Sequence, residues 1–420
     1  MRRVLGIVFA LCVLCTGVAA TPIGASSAPA APSASVASSA PSSPPAALPV
    51  VTANNTTNYL DLNRTSVVRA DFHRADFDVS AALSADSTAV AGRLQVDALD
   101  VAFRNATTAD ARRAVLRRYV KHLENETARL RARERQALSA FNAGERSASQ
   151  YLRTLAQIDA EAERLERVVG RLDELADRVR EPSISVRRLN TIQSDLFALD
   201  GPVREHLVSV ASGDAPPTRV LLESSDTGVL LSTIVTRDGQ PMYVRETYLG
   251  DVRRTSTGAD RYRGLDEAYD RARELYPWAA DRNLGGAFGF AEVYRITFVH
   301  PQGELTTFID GQSGKVFREY QHKELPGVPL PHSTGNVTDE LNLTVGRTHP
   351  GGPMLVRLEN AAGEPVNATV TVNDEPVGTT GADGELWTLS SGSKVVAVRA
   401  TASEGTVTAV VQGTSSNATG

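Results

Sequence analysis

Eight apolar residues between positions 155 and 179 follow one another at steps of 3, 4, 3, 4, 3, 4 and 3: Leu155, Ile158, Ala162, Leu165, Val169, Leu172, Ala176 and Val179. This is an a/d stripe held for nearly four heptads, and it suits a helix pressed along its length against another helix. Glu161, Glu163, Arg164, Glu166 and Arg167 flank the stripe, as solvated edges with i,i+4 charge pairs would. Upstream, Leu116, Leu123, Leu130 and Ala137 recur every seven residues, behind N-cap candidates at Thr107 to Asp110 and ahead of Gly144. Two helices of about 33 residues, each about 50 Å long, joined by a short turn predict an antiparallel coiled-coil hairpin. Ser87 to Phe103 predicts a further helix before it. Pro182 ends the second long helix, and Val186 to Leu199, then Val203 to Val210 after Gly201-Pro202, fold back on the hairpin base. The seam is either satisfied inside the hairpin or offered to another chain.

The N-terminus reads as a signal peptide. Arg2 and Arg3 precede an apolar run from Val4 to Val18, and Val18-Ala19-Ala20 supplies small residues for cleavage. Both cysteines, Cys12 and Cys15, lie inside it, so the mature chain is expected to start near Thr21 without thiol chemistry. No second run of eighteen apolar residues follows, so no transmembrane helix is expected after cleavage. Nine of the fifteen asparagines stand in Asn-X-Ser/Thr: Asn54, Asn55, Asn63, Asn105, Asn125, Asn336, Asn342, Asn367 and Asn417. That density predicts surface glycans on an exported protein. A net charge of −5 without a long basic block argues against nucleic-acid binding.

Residues 21–75 begin with an uncharged Ala/Ser/Pro stretch and read as a disordered spacer. Past Pro216-Pro217 the period turns from helical to alternating. Three strands, an amphipathic helix from Leu265 to Tyr276 and three more strands predict a small α+β domain over 217–322. It holds 13 of the 23 aromatics. Trp278, Phe288, Phe290 and Tyr294 around Gly285-Gly286 form a candidate recognition surface, the competing reading being a compact core. A Pro-rich linker (323–340), an all-β stretch (341–413) that suits a β-sandwich, and a short tail (414–420) complete the chain.

Catalytic and metal-binding patterns are weak. The seven histidines fall at no metal-ligand spacing, so no metal or cofactor is expected. Gly311-Gln312-Ser313-Gly314-Lys315 lacks the glycine and the Ser/Thr of a phosphate-binding loop and reads as a hairpin turn. Gly381-Ala382-Asp383-Gly384-Glu385 offers too few oxygens for calcium.

Leu265-Asp266-Glu267-Ala268, Val293-Tyr294-Arg295-Ile296, Gly303-Glu304-Leu305, Ile309-Asp310 and Ser313-Gly314-Lys315-Val316 together resemble a PepSY-type module. That resemblance implies a helix packed on a few strands and a role in restraining peptidases. The run from Gly363 to Val372, followed by Gly378 to Gly384, resembles carboxypeptidase-regulatory-like or transthyretin-like β-sandwiches, which are stalk or adhesion modules. The whole arrangement, with Val293-Tyr294-Arg295-Ile296-Thr297 leading to His300-Pro301-Gln302-Gly303-Glu304-Leu305-Thr306, is similar to uncharacterised exported proteins of halophilic archaea.

The expected fold class is therefore multidomain, α then α+β then all-β. The helical hairpin would occupy 80–213. The expected function is that of a non-enzymatic, extracellular or cell-surface protein. Its helical arm would bind an envelope or secreted partner or a second copy of the chain, its α+β domain would serve as a recognition module, and its β-sandwich as a spacer. Regulation of an extracellular protease through the α+β domain is the alternative.

Overall fold

The computed structural model describes residues 50–51, 58–63, 65–179, 184–253, 259–280, 283–390, 392–412 and 418–419. The leader at 1–20, most of the 21–75 spacer and Asn54, Asn55 and Asn417 lie outside them, as does all but two residues of the 414–420 tail. Residues 47–420 cluster as one compact unit.

Strands β1 (Val50–Val51), β2 (Tyr59–Leu60) and β3 (Arg69–Ala75) come first. Five helices follow: α1 (Val79–Asn105), α2 (Ala109–Asn142), α3 (Ala148–Ala176), α4 (Val186–Leu196) and α5 (Pro202–Ser212). Then come β4 (Thr218–Ser224), β5 (Gly228–Arg237), β6 (Gln240–Leu249), α6 (Leu265–Leu275) and α7 (Pro277–Ala280). Strands β7 (Asn283–Phe290), β8 (Val293–His300), β9 (Gly303–Asp310) and β10 (Lys315–Glu324) complete the central part.

These strands build one antiparallel sheet of eight in the order β3-β4-β5-β6-β10-β9-β8-β7. It consists of two four-stranded meanders joined along their last strands. Residues 69–75, assigned to the spacer by composition, are its edge strand, paired from Arg69↔Ser224 to Ala75↔Thr218. The helices therefore do not form a domain that precedes the sheet. They are inserted between two adjacent strands of it. Residues 58–62 also belong to the folded body: Leu60 and Leu62 are buried in the core under the sheet. In both stretches packing decides the outcome where local composition reads as loop.

Local signals explain the helix ends. Asp78 caps α1 by accepting from Ser80 and Ala81, Thr108 caps α2, and Ser147 with Gln150 forms a capping box on α3. The eight seam residues of 155–179 are all buried. The buried surface of α3 is wider than that stripe, however, and includes Tyr151, Leu152, Asp159, Val168 and Leu175. The helix packs against α1, α2, α4 and α5, so it is the centre of a helical layer rather than one arm of a two-helix hairpin.

Beyond a 3₁₀ turn at Leu325–Gly327, β11 (His332–Val337) opens the C-terminal sandwich, so the sandwich begins inside the stretch read as a linker. Its other strands are β12 (Leu341–Arg347), β13 (Pro353–Asn360), β14 (Thr369–Val372), β15 (Glu375–Thr379), β16 (Glu385–Leu389), β17 (Val395–Ala402) and β18 (Gly405–Gln412). They form two four-stranded sheets, β11-β12-β13-β16 and β15-β14-β17-β18, around Leu343, Val345, Val356, Val370 and Val398. A last strand, β19 (Ala418–Thr419), pairs with β1.

Candidate functional site

The face of the sheet toward the helices carries a buried ionic lock. Arg204, on α5, is 0% exposed. Its Nε donates to Glu246 Oε1 at 2.8 Å, and its Nη1 donates to Glu134 Oε1 at 2.7 Å and to the Leu199 carbonyl at 2.9 Å. Glu246, on β6, also accepts from the Val203 backbone N–H at 3.0 Å, which places a carboxylate at the N-terminus of α5. Gly201 lets that carboxylate in: a Cβ there would lie 2.1 Å from Glu246 Oε2. Beside the lock, Gly201 N–H donates to Asp159 Oδ1 at 2.9 Å, Tyr320 Oη donates to Asp200 Oδ1 at 2.8 Å, and Arg318 donates to the Ala198 carbonyl. Burial first, and then the neighbouring Asp200, pushes the Asp159 carboxyl well above the usual carboxylate range. The lock ties α2, α5 and β6 together.

The opposite face carries a second network. Arg245 bridges Glu319 (3.2 Å) and Asp61 (3.3 Å). Glu319 Oε2 accepts from the Leu60 N–H and from Tyr276 Oη, both at 2.7 Å. Residues 58–61 thus cross the sheet as a strap. Burial raises the Glu319 carboxyl to about 7 against the pull of Arg245.

The four aromatics chosen from sequence do not form one surface. Trp278 packs edge-on against His300 at 5.5 Å, at one end of β8. Tyr294, toward the other end, is buried and donates to Asp260 Oδ2 at 2.6 Å. Phe290 packs edge-on against Phe197 of the helical layer, and Phe288, 56% exposed, stacks on Phe290. Of the four, Phe288 and Phe290 lie together, Phe288 exposed and Phe290 half-buried against Phe197. The pleat explains this: Tyr294 alternates inward with Ile296 and Phe298 on β8.

Among the described sequons, Asn63, Asn105, Asn125, Asn336 and Asn367 are exposed and Asn342 is half-buried. Asn125 lies in mid-helix with Thr127 of its sequon buried, and Asn336 donates to the Thr408 carbonyl at 2.7 Å. Among the described residues no group of three or more His, Cys, Asp or Glu side chains is placed to hold a metal ion, and no helix is long and apolar enough to cross a membrane.

The surface that sequence reasoning missed is on α1. Val79, Leu83, Val90, Leu94 and Val101 are exposed, Leu83 by 65% and Leu94 by 62%. They share one helical face about 33 Å long at 1.5 Å per residue, while Leu99 and Phe103 on the other face are buried. Exposed Asp86, Arg93, Asp97 and Arg104 run along one side of the stripe. At its N-terminal end, Phe77 overhangs a cavity of about 270 Å³ lined by Ala81, Leu152, Ala156 and Leu207. The signal was present as the seven-residue spacings Leu83–Val90 and Leu94–Val101.

One carboxylate on α3 is poorly served. Glu166 has a buried Oε1 without a hydrogen-bond partner, and burial, then Asp200 and Glu163, raises its carboxyl from 4.5 to about 8. Between those values the folded chain holds a proton that the unfolded chain has released, so stability falls as pH rises from 4.5 to 8. The Glu166→Gln variant is expected to escape that loss. Its urea midpoint should exceed the parent's at pH 8.5 and match it near pH 4; equal midpoints at both would refute the assignment.

Residues 220–329 match a family of unknown function (DUF7094), and residues 332–409 match an archaeal fibronectin-III type-like domain, in register with β11 to β18. The C-terminal sandwich is therefore fibronectin-III-like. No curated protein and no solved structure matches the chain. Residues 1–215, just over half of the 420, match the domain of unknown function DUF7096, and the chain belongs to that family.

Proposed function

We propose that the chain is a non-enzymatic, exported cell-surface module that assembles with a second copy of itself through α1. The single observation that carries this reading is the exposed apolar stripe Val79–Leu83–Val90–Leu94–Val101 on a helix whose opposite face is buried. A helix apolar on both sides is built to be covered on both sides. Its charges favour its own copy as the cover. An antiparallel second α1 centred near residue 95 sets Asp86 against Arg104 and Arg93 against Asp97. It also brings Leu94 to its symmetry mate and Val90 to Val101, while Val79 and Leu83 extend past the C-terminal end of the second α1. Such a two-fold contact is self-complementary, as a closed dimer requires. The signal-like leader and the sequon density support export.

Restraint of a protease by the α+β domain would use strand addition at an edge such as β7. A register shift between Leu284 and Gly286 blunts that edge, which favours assembly over restraint.

Sedimentation of the purified chain at about 50 μM tests the reading. A dimer is expected, and Leu94→Glu is expected to raise its dissociation constant at least tenfold, because it buries two unpaired charges. Arg93→Asp should weaken it, and adding Asp97→Arg in the same chain should restore it. A wild-type monomer, or a dimer indifferent to Leu94→Glu, would overturn the proposal.

A further inference from the structure

We infer that the cavity between α1 and α3 takes the hydrocarbon chain of a single-chain amphiphile, with the head group left in solvent. The two helices run parallel. Asp78 meets Arg153 at 2.6 Å, Gly92 meets Arg164, and Asp100 meets Arg171 at 2.7 Å, in the same order along both. At the second contact the Arg164 side chain lies directly on the α1 backbone, since a Cβ on Gly92 would be 2.9 Å from Arg164 Cγ. On the N-terminal side of that contact the helices enclose about 270 Å³.

The lining sets the shape. Ala81 and Ala85 on α1, and Ala156 and Ala160 on α3, each pair one turn apart, give the long walls, and buried Leu152 and Leu207 give the depth. Alanines on neighbouring helices ordinarily let the axes draw together. Here they leave room instead. The α3 wall, from Ser149 to Glu161, is about 18 Å long. Spread along that wall, the space is a slot, and a linear chain fits it better than a fused ring. Ala81, Ala85 and Ala160 are half-buried, so the slot is reached from solvent along its length. Water held against alanine methyls has few polar partners, and methylenes that replace it bury apolar surface.

The rim keeps ions out. Among the described residues every charge on it is matched: Arg153 by Asp78, Arg74 by Asp76 at 3.3 Å, and Glu161 by Arg133 at 2.7 Å. Burial holds the His73 pKa below its ordinary value, which leaves that ring neutral at pH 7. A charged group entering the slot would lose its hydration without a free counter-charge. The apolar tail therefore goes in and the polar head stays in water. Ala81 and Ala85 lie on the flank of α1 turned to α3, away from Leu83, Val90 and Leu94, so the slot is separate from the outward stripe.

Titration of the full chain with hexyl and octyl glucoside, below their micelle concentrations, tests this by calorimetry and ligand-observed NMR. Saturable binding is expected, at least tenfold tighter for octyl than for hexyl, because two more methylenes are buried. Octyl sulfate and octyltrimethylammonium should match octyl glucoside within about threefold at about 0.5 M salt. Ala160→Phe and, on the α1 wall, Ala85→Leu should each fill the slot and weaken octyl glucoside at least tenfold with an unchanged circular dichroism spectrum. Ala128→Leu, on the exposed face of α2, should change nothing. Leu94→Glu should bind as the parent does, so this site stands or falls apart from the assembly through α1. No saturation by octyl glucoside up to about 10 mM, equal affinity for the two chain lengths, a preference above tenfold for one head group, or binding that survives both Ala160→Phe and Ala85→Leu would overturn the inference.

Discussion

Replacing Arg204 with methionine is expected to cost about 3–5 kcal/mol of stability, the usual penalty for removing one member of a buried charge network. The reason lies in what remains. Glu246 is 2% exposed and Glu134 is 8% exposed, and Arg204 is the cation that meets both. Without it, two carboxylates face each other across the junction of α2, α5 and β6. Glu246 would still accept from Val203 N–H, so it cannot simply turn away. Adding Glu246→Gln should recover part of the loss, because one buried charge is then gone while the N-terminus of α5 keeps an acceptor. Urea unfolding followed by far-ultraviolet circular dichroism gives the cost, and amide exchange locates it. The helices should lose protection before the fibronectin-III-like sandwich does. A loss below about 1 kcal/mol would mean that water reaches the network and that the lock is not one.

The elements legible in the sequence are those whose environment is periodic. The seam of α3 repeats with the helix because one face is covered along its whole length. Strand β8 alternates over its middle, where Tyr294, Ile296 and Phe298 are buried and Arg295 and Thr297 between them are half-buried. Edge strands escape this logic. The β3 sequence, Arg-Ala-Asp-Phe-His-Arg-Ala, has one large apolar residue, and β7 contains three glycines and reads as a loop. Neither needs an apolar face, since an edge is half solvated and natural edges avoid stickiness. The locks were invisible for another reason. Arg204 and Glu246 lie 42 residues apart, and Leu60 and Glu319 lie 259 apart. Nothing local marks a buried arginine until the sheet brings its carboxylate to it. The outward face of α1 was hidden because a helix with apolar residues on two opposite faces does not say which of them is left uncovered.

Residues 217–322 expressed alone, the α+β domain as its pattern delimits it, are expected to show no cooperative unfolding transition. The fragment keeps β4 to β9, most of β10, and α6 and α7 on one face of the sheet, but it loses the helical layer that covers the other face and the strap that runs beside α6 and α7. On one face, Glu246 and Arg318 would lose Arg204, Asp200 and the helical layer. On the other, Arg245 would lose Asp61, and Glu319 would lose the Leu60 N–H. Strand β4 would become an edge with Val220 and Leu222 bare. A fragment beginning at residue 47 and ending at 331 retains the strap, β3, the helices and the sheet, and should unfold in one sharp transition. The family matches break between 215 and 220, at the start of β4, while its partner strand β3 lies in the first match, so the sequence families divide where the sheet does not. A steep urea transition from 217–322, with a slope matching its size, would show instead that the sheet stands alone and that the strap and helices are later cover. A flat, non-cooperative profile from that fragment beside a sharp one from 47–331 would establish that two matched families fold as one body.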